Sequence, residues 1–196
     1  MSIIIFPAQY PRESRLVLQT NQRSHSSPFN GSEQVVDQLN DRWTASVTFP
    51  PAKLKKAGPL EAFLASMRGQ TNTVGIWHFA RPLPLGTLRG APTLASPALQ
   101  GAGVVVVQSS SGATLLAGDL IGISGLLLMA QTDAVANGAG VMTVPIVNRL
   151  RLALSSGAAV AWQRPLVQCT LVSTSGQQYT PGIAQPVQCD FVERIY

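Results

Sequence analysis

Residues 41–79, DRWTASVTFPPAKLKKAGPLEAFLASMRGQTNTVGIWHF, decide the fold. Trp43, Ala45, Val47 and Phe49 alternate with Thr44, Ser46 and Thr48, the period of two of a strand with one buried and one wet face. Pro50-Pro51 stops that strand, because proline has no N–H for a ladder. After the basic link Lys53-Leu54-Lys55-Lys56, Gly58 and Pro59 open a predicted helix. Its Leu60, Phe63, Leu64 and Met67 share one stripe, and Gly69 closes it. Glu61 then stands third in the helix, where its charge complements the dipole. Val74 to Phe79 returns as a strand. A helix with one apolar stripe must lie on a sheet to bury it, so the unit reads as a β-sandwich or barrel with one packed helix.

Working outward, the 196 residues suffice for one large or two small domains. Fourteen prolines and seventeen glycines with 12% charged and 45% apolar residues describe a turn-rich β protein able to bury a core. The formal charge of +5 is spread thinly, with lysine only at Lys53, Lys55 and Lys56, whereas sequence-specific DNA binding concentrates cations on one face. So few charges leave much of the surface uncharged, which favours an oligomer whose copies cover one another. Met1 to Phe6 lacks the pattern of an export signal, so synthesis in the cytoplasm is expected. Leu120 to Ala130, the longest apolar region, is interrupted by Gly122, Ser124 and Gly125 and is too short for a membrane span.

Three regions follow. Residues 1–88 hold a Pro-punctuated arm (Pro7, Pro11), a short strand around Leu16 to Gln19, a polar loop from Thr20 to Ser32, and the strand-helix-strand unit. Residues 89–164 are small and aliphatic, with Asp119 and Asp133 the acids. Short strands are expected there at Val104 to Gln108, Thr114 to Leu116, Leu120 to Ile123, Leu126 to Thr132, Val141 to Val144 and Ala158 to Trp162. Turn signals at Ser111-Gly112, Gly118-Asp119, Asn137-Gly138 and Ser156-Gly157 separate them, the punctuation of a small barrel or sandwich. Arg149 to Leu154 reads equally as a strand or a helical turn. Residues 165–196 return to long strands, Leu166 to Ser173 and Val187 to Ile195, around the polar loop Gly176 to Pro186. The textures predict that residues 1–88 and 165–196 pair in one β domain and that 89–164 is inserted into it.

Catalytic chemistry is not signalled. His25 sits in a Ser/Asn loop and His78 on an apparent strand, with no Gly-x-Ser-x-Gly turn to expose a serine. Two cysteines and remote histidines do not make a zinc site. Gly101-Ala102-Gly103 precedes a strand, where a dinucleotide loop must follow one. Asp119 follows a turn glycine and Asp133 begins a loop, so each acid has a structural role, and no spacing favours a pairing of Asp41, Asp190 or Glu193. No catalytic, cofactor-binding or metal residue is assigned. Cys169 and Cys189 would face each other across a symmetric hairpin turning near Tyr179 to Gly182; two reduced apolar side chains are the preferred reading and a bridge the alternative. Lys53 to Lys56 reads as a solvated loop, with an acidic neighbouring subunit as the alternative. Trp43, Phe49, Phe63, Trp77 and Phe79 are expected in the core, and Trp162 as an exposed anchor.

At Asp41-Arg42-Trp43, the run to Phe49-Pro50-Pro51, the helix Leu60 to Arg68 with Gly69, and Ile76-Trp77-His78-Phe79, the chain resembles the distal tail and related minor tail proteins of long-tailed bacteriophages. A second similar element is Leu116-Ala117-Gly118-Asp119-Leu120-Ile121, with Asp133, Asn137 to Gly140 and Arg149-Leu150-Arg151 beyond it. The resemblance implies a mainly β fold, a tail-tube-like β-sandwich with one packed α-helix plus an inserted small β-barrel module. It implies a homo-oligomeric ring, six-fold or three-fold, at the virion tail tip, joining the tail tube protein to the tail tip hub protein or baseplate. Tape-measure protein and DNA would pass through its lumen. Distal tail proteins often carry a C-terminal carbohydrate-binding-like domain, whereas the extra material here is internal; the four-cysteine cluster pattern of some minor tail proteins is also lacking, so no cofactor is implied. The expectation is a structural protein, not an enzyme, without membrane insertion or sequence-specific nucleic-acid binding; a carbohydrate-binding β-sandwich at a cell or virion surface is the alternative, and a hydrolase with a scattered site a third.

Overall fold

A computed structural model describes residues 3–37 and 40–195. The expected domain limits at residues 1 and 196 lie outside them. The fold is mainly β, with 43% strand in several sheets against 7% in one helix. Its principal sheet has six strands in the order Ile3–Ile4, Thr73–Ile76, Val167–Thr174, Val187–Glu193, Arg42–Phe49, Glu13–Gln19. The Ile3–Ile4 pair with Thr73–Ile76 is parallel and the other neighbours are antiparallel. Strands from both ends of the chain thus interleave in one sheet.

Arg42–Phe49 is a central strand, with Trp43, Ala45, Val47 and Phe49 buried and their alternates half-buried. The buried row meets Val187, Cys189 and Phe191 across the next strand. Ser14, Arg15 and Leu16 on the Glu13–Gln19 edge strand and Trp77, His78 and Phe79 just after Thr73–Ile76 border one crevice, so the sheet is strongly curved. Helix α1, Leu54–Met67, packs into this core through Leu60, Phe63 and Met67. Phe6 closes the end by packing on Phe49, Phe63, Trp77 and Phe79 at centroid distances of 5.1–5.9 Å.

Helix α1 begins about one turn before the expected Gly58-Pro59 start, leaving Pro59 inside it. The basic link is therefore largely helical: Lys53 is the N-cap, and Lys55 and Lys56 lie in the first turn. Buried Ala57 contributes to that early turn, and Ala52–Lys53 tie it to Ile183–Ala184. Glu61 lies two turns in, away from the dipole's positive end, and accepts a hydrogen bond from the Tyr179 hydroxyl. Arg68 takes the left-handed conformation first, at φ 48°, and Gly69 follows at 63°.

Other boundaries also shift. The returning strand is Thr73–Ile76 and stops before Trp77, because Trp77 and Phe79 turn into the aromatic cluster. The Thr20 to Ser32 stretch is not a plain loop: Gln22–Ser26 pairs with Glu33–Asp37 as a two-stranded hairpin. Within the Gly176 to Pro186 loop, Tyr179–Thr180 and Ile183–Ala184 form a small hairpin. That hairpin, with a register shift between Leu171 and Ser173, breaks the symmetry assumed for the cysteines. Cys169 faces Glu193 while Cys189 faces Thr174, and both thiols are free and buried.

Residues 88–160 build a second core from Leu, Ile, Val, Ala and Met side chains. Short antiparallel strands surround it: Thr93–Leu94, Val104–Gln108 and Val141–Pro145 in one sheet, and Leu120–Ile123, Leu126–Met129 and Val160–Ala161 in another. Thr114–Leu115 pairs with Ala134–Val135. Several strands are therefore shorter than expected, and Arg149 to Leu154 is neither strand nor helix but a bend meeting Ala98 by a bridge at Leu154. The chain enters and leaves this region side by side, the Arg164 N–H donating to the Pro82 carbonyl at 2.7 Å.

Candidate assembly surface

The Leu120–Met129 hairpin is the wall between the two cores. Ile121, Ile123, Leu126 and Leu128 face the second core, while Leu120 and Leu127 join the first. A strand pair buried on both faces must be apolar at every position, which accounts for the longest apolar run in the sequence. The Leu127 carbonyl accepts from Trp43 Nε1 at 2.8 Å and from Asn148 Nδ2 at 2.9 Å. Nearby, Glu193 pairs with Arg151 and also accepts the Trp43 backbone N–H at 2.9 Å, while Arg151 donates to the Asp41 carbonyl. Glu193 is 3% exposed, so its charge is held by partners and not by water.

Three further acids are committed to hydrogen bonds. Asp119 accepts three backbone N–H groups, from Leu85, Gly86 and Leu116, at 2.7–2.9 Å. Asp133 accepts the Ala117 N–H and Asp190 the Ser46 hydroxyl. The structure thus places Asp41 and Glu193 beside Arg151 and leaves Asp190 on a serine. His78 Nδ1 accepts the Arg81 N–H at 3.1 Å, and partial burial, reinforced by the Arg81 charge, lowers its pKa. His25 is exposed on the projecting hairpin, remote in fold from His78. Burial raises the Cys169 pKa, with Glu193 adding to it, and burial likewise raises that of Cys189, so both are poor nucleophiles. Among the described residues no group of three or more His, Cys, Asp or Glu could hold a metal ion.

Trp43, Phe49 and Phe63 are buried, with Trp77 and Phe79 half-buried against them. Trp162 is not an exposed anchor. It is half-buried, donates Nε1 to the Gly90 carbonyl at 2.8 Å and carries the Arg89 guanidinium over its ring. What sequence reasoning missed is Phe29, at 97% exposure. It caps the Gln22–Ser26/Glu33–Asp37 hairpin in a stapled turn: Ser27 N–H donates to the Ser32 carbonyl, and Asn30 Oδ1 accepts the Ser32 N–H and hydroxyl. Gly31 supplies the left-handed residue at φ 65°. Asn30-Gly31 was the available signal, since that dipeptide marks hairpin turns. Val35 and Val36 are also exposed, on opposite faces because strand side chains alternate.

Two concavities adjoin this framework. One, about 320 Å³, lies where the two regions meet and is lined by Asn40, Gln100, Ser124, Gln168 and the Arg151–Glu193 pair. The other, about 290 Å³, is an aromatic groove lined by Phe6, Pro7, Tyr10, Trp77, Phe79 and Arg164. No helix is long and apolar enough to cross a membrane among the described residues. Comparison of the chain with protein-family models and with curated proteins finds no match.

Proposed function

We propose that the protein is a structural subunit of a bacteriophage virion, a ring-forming distal tail or minor tail protein that joins the tail tube to the tail-tip hub or baseplate. In this reading the helix-backed sheet is a tail-tube-like β-sandwich and residues 89–164 are a small inserted β-barrel. Its work is assembly with copies of itself and with tube and hub proteins, leaving a lumen for tape-measure protein and DNA. The supporting observation is the projecting hairpin with its exposed Phe29, Val35 and Val36. An isolated two-stranded hairpin is marginal in water and gains stability by packing on a partner. A contact between unlike patches of identical subunits closes into a ring when the rotation allows.

Light-scattering mass and negative-stain imaging, on the protein alone and with a tail tube protein, test the proposal. Closed rings are the expected result, and a monomer under both conditions overturns it. A carbohydrate-binding module is the second reading, favoured by the amide-lined cleft at Asn40, Gln100 and Gln168. A monomer that retains glycans would establish that reading instead, and turnover of a substrate panel would point to a hydrolase.

A further inference from the structure

We infer that Phe29 of one copy seats in the aromatic groove of the next, with Glu33 of the hairpin pairing with Arg164 at the groove's rim; this rests on the assembly reading above. Knob and groove are on one chain, yet Phe29 is almost wholly exposed and so does not fill its own groove. The groove offers what a phenyl ring packs against: Trp77 and Phe79 for edge or offset stacking, and Pro7 and Tyr10 as apolar walls. Tyr10 itself is 59% exposed, leaving the groove open on that side.

Charge complementarity supports the same occupant. Arg164 lies over the Trp77 ring at 5.7 Å and donates to the Tyr10 hydroxyl, but enters no ion pair among the described residues. Its backbone is left-handed at φ 44°, a strained conformation for a residue with a Cβ, and is held there by its bond to Pro82. Glu33 stands at the base of the Phe29 turn, opposite Ser26, and likewise forms no ion pair among the described residues. A cation without a carboxylate at the rim and a carboxylate without a cation beside the knob are complementary. The stapled turn restrains the backbone that carries Phe29, which lowers the backbone entropy lost on docking. An aromatic anchor in a pocket with an adjacent Arg pair is the composition of an interface hot spot.

The contact is heterologous, so successive copies run head to tail. Phe29→p-benzoylphenylalanine in full-length protein, irradiated in a mixture of ¹⁵N-labelled and unlabelled copies, should join that position to peptides spanning Pro7–Tyr10 or Trp77–Phe79 of a different copy. Phe29→Ser should weaken association roughly 30-fold or more, with the circular dichroism of the monomer unchanged. Glu33→Arg and Arg164→Glu should each weaken association, and the two together should restore it. Rings that survive Phe29→Ser undiminished, cross-links to other surfaces, or no rescue by the charge swap overturn the docking while leaving the ring in place. A wild-type chain that never associates overturns both.

Discussion

The sheet region and the middle region are both β and adjoin along one wall, yet they hold together differently. The four longest strands of the sheet region have seven or eight residues, and it adds a helix and an aromatic cluster around Phe6. The middle region uses strands of two to five residues around an aliphatic core, with Trp162 at its rim. Long strands with one wet face rely on side-chain packing for register. Short strands cannot, and the middle region leans on turns and on buried polar staples such as Asp119 instead. Glycine has a structural task there: a Cβ on Gly86 would lie 2.2 Å from the Thr114 carbonyl oxygen, so no other residue fits at that crossing.

Phe49→Ala should have the largest effect, because it removes a fully buried ring on which Phe6 stacks. A loss of about 3–5 kcal/mol is expected from urea unfolding. If the two regions are one cooperative unit through the Leu120–Met129 wall, both unfold in a single transition, which hydrogen exchange read by mass spectrometry would register as matched loss of protection. Retained protection in Val104–Gln108 and Val141–Pro145 would instead show that the aliphatic core stands alone.

Glu193→Ala sharpens the comparison at the junction. It deprives Arg151 and the Trp43 N–H of their common acceptor, and breaking a buried pair from one side costs about 3 kcal/mol or more. The Arg151→Met, Glu193→Leu double variant should recover the part of that loss due to the unpaired charge, since replacing both charges removes their desolvation cost, while the Trp43 N–H stays without its acceptor. Additive losses in the double variant would mean that the pair is not a coupled unit.

These contrasts also explain what could be read from the sequence. Arg42–Phe49 was legible because one face is buried and the other is not. The Gln22–Ser26 strand was not, because it is exposed on both faces and carries no apolar residue to mark a period. Leu120–Ile123 and Leu126–Met129, buried on both faces, show no alternation and were legible from the turn residues that bound and split them. The early start of helix α1 was masked by Pro59, which reads as an N-terminal residue although here it lies in the second turn. Phe29 and the groove share no local pattern at all. Their relation depends on where the fold leaves a ring exposed and where it leaves a hollow, and neither is written in spacing.

The smallest of the expected losses isolates the middle region's own wiring. Asp119→Ala leaves the N–H groups of Leu85, Gly86 and Leu116 without their carboxylate. Leu85 and Leu116 are exposed enough for water to replace part of what is lost, whereas the Gly86 bond is buried. The expected cost is therefore about 2 kcal/mol, toward the middle of the range for a buried donor left unpaired. Asp119→Asn should cost less, because it keeps one acceptor oxygen for Leu116 and Gly86 or for Leu85. Hydrogen exchange should quicken at residues 85, 86 and 116 while Arg42–Phe49 and Val187–Glu193 keep their protection, since Asp119 bonds none of the six strands. Faster exchange in those central strands would mean that the turn helps to hold the wall in place, and that the two regions share their polar wiring as well as their apolar boundary.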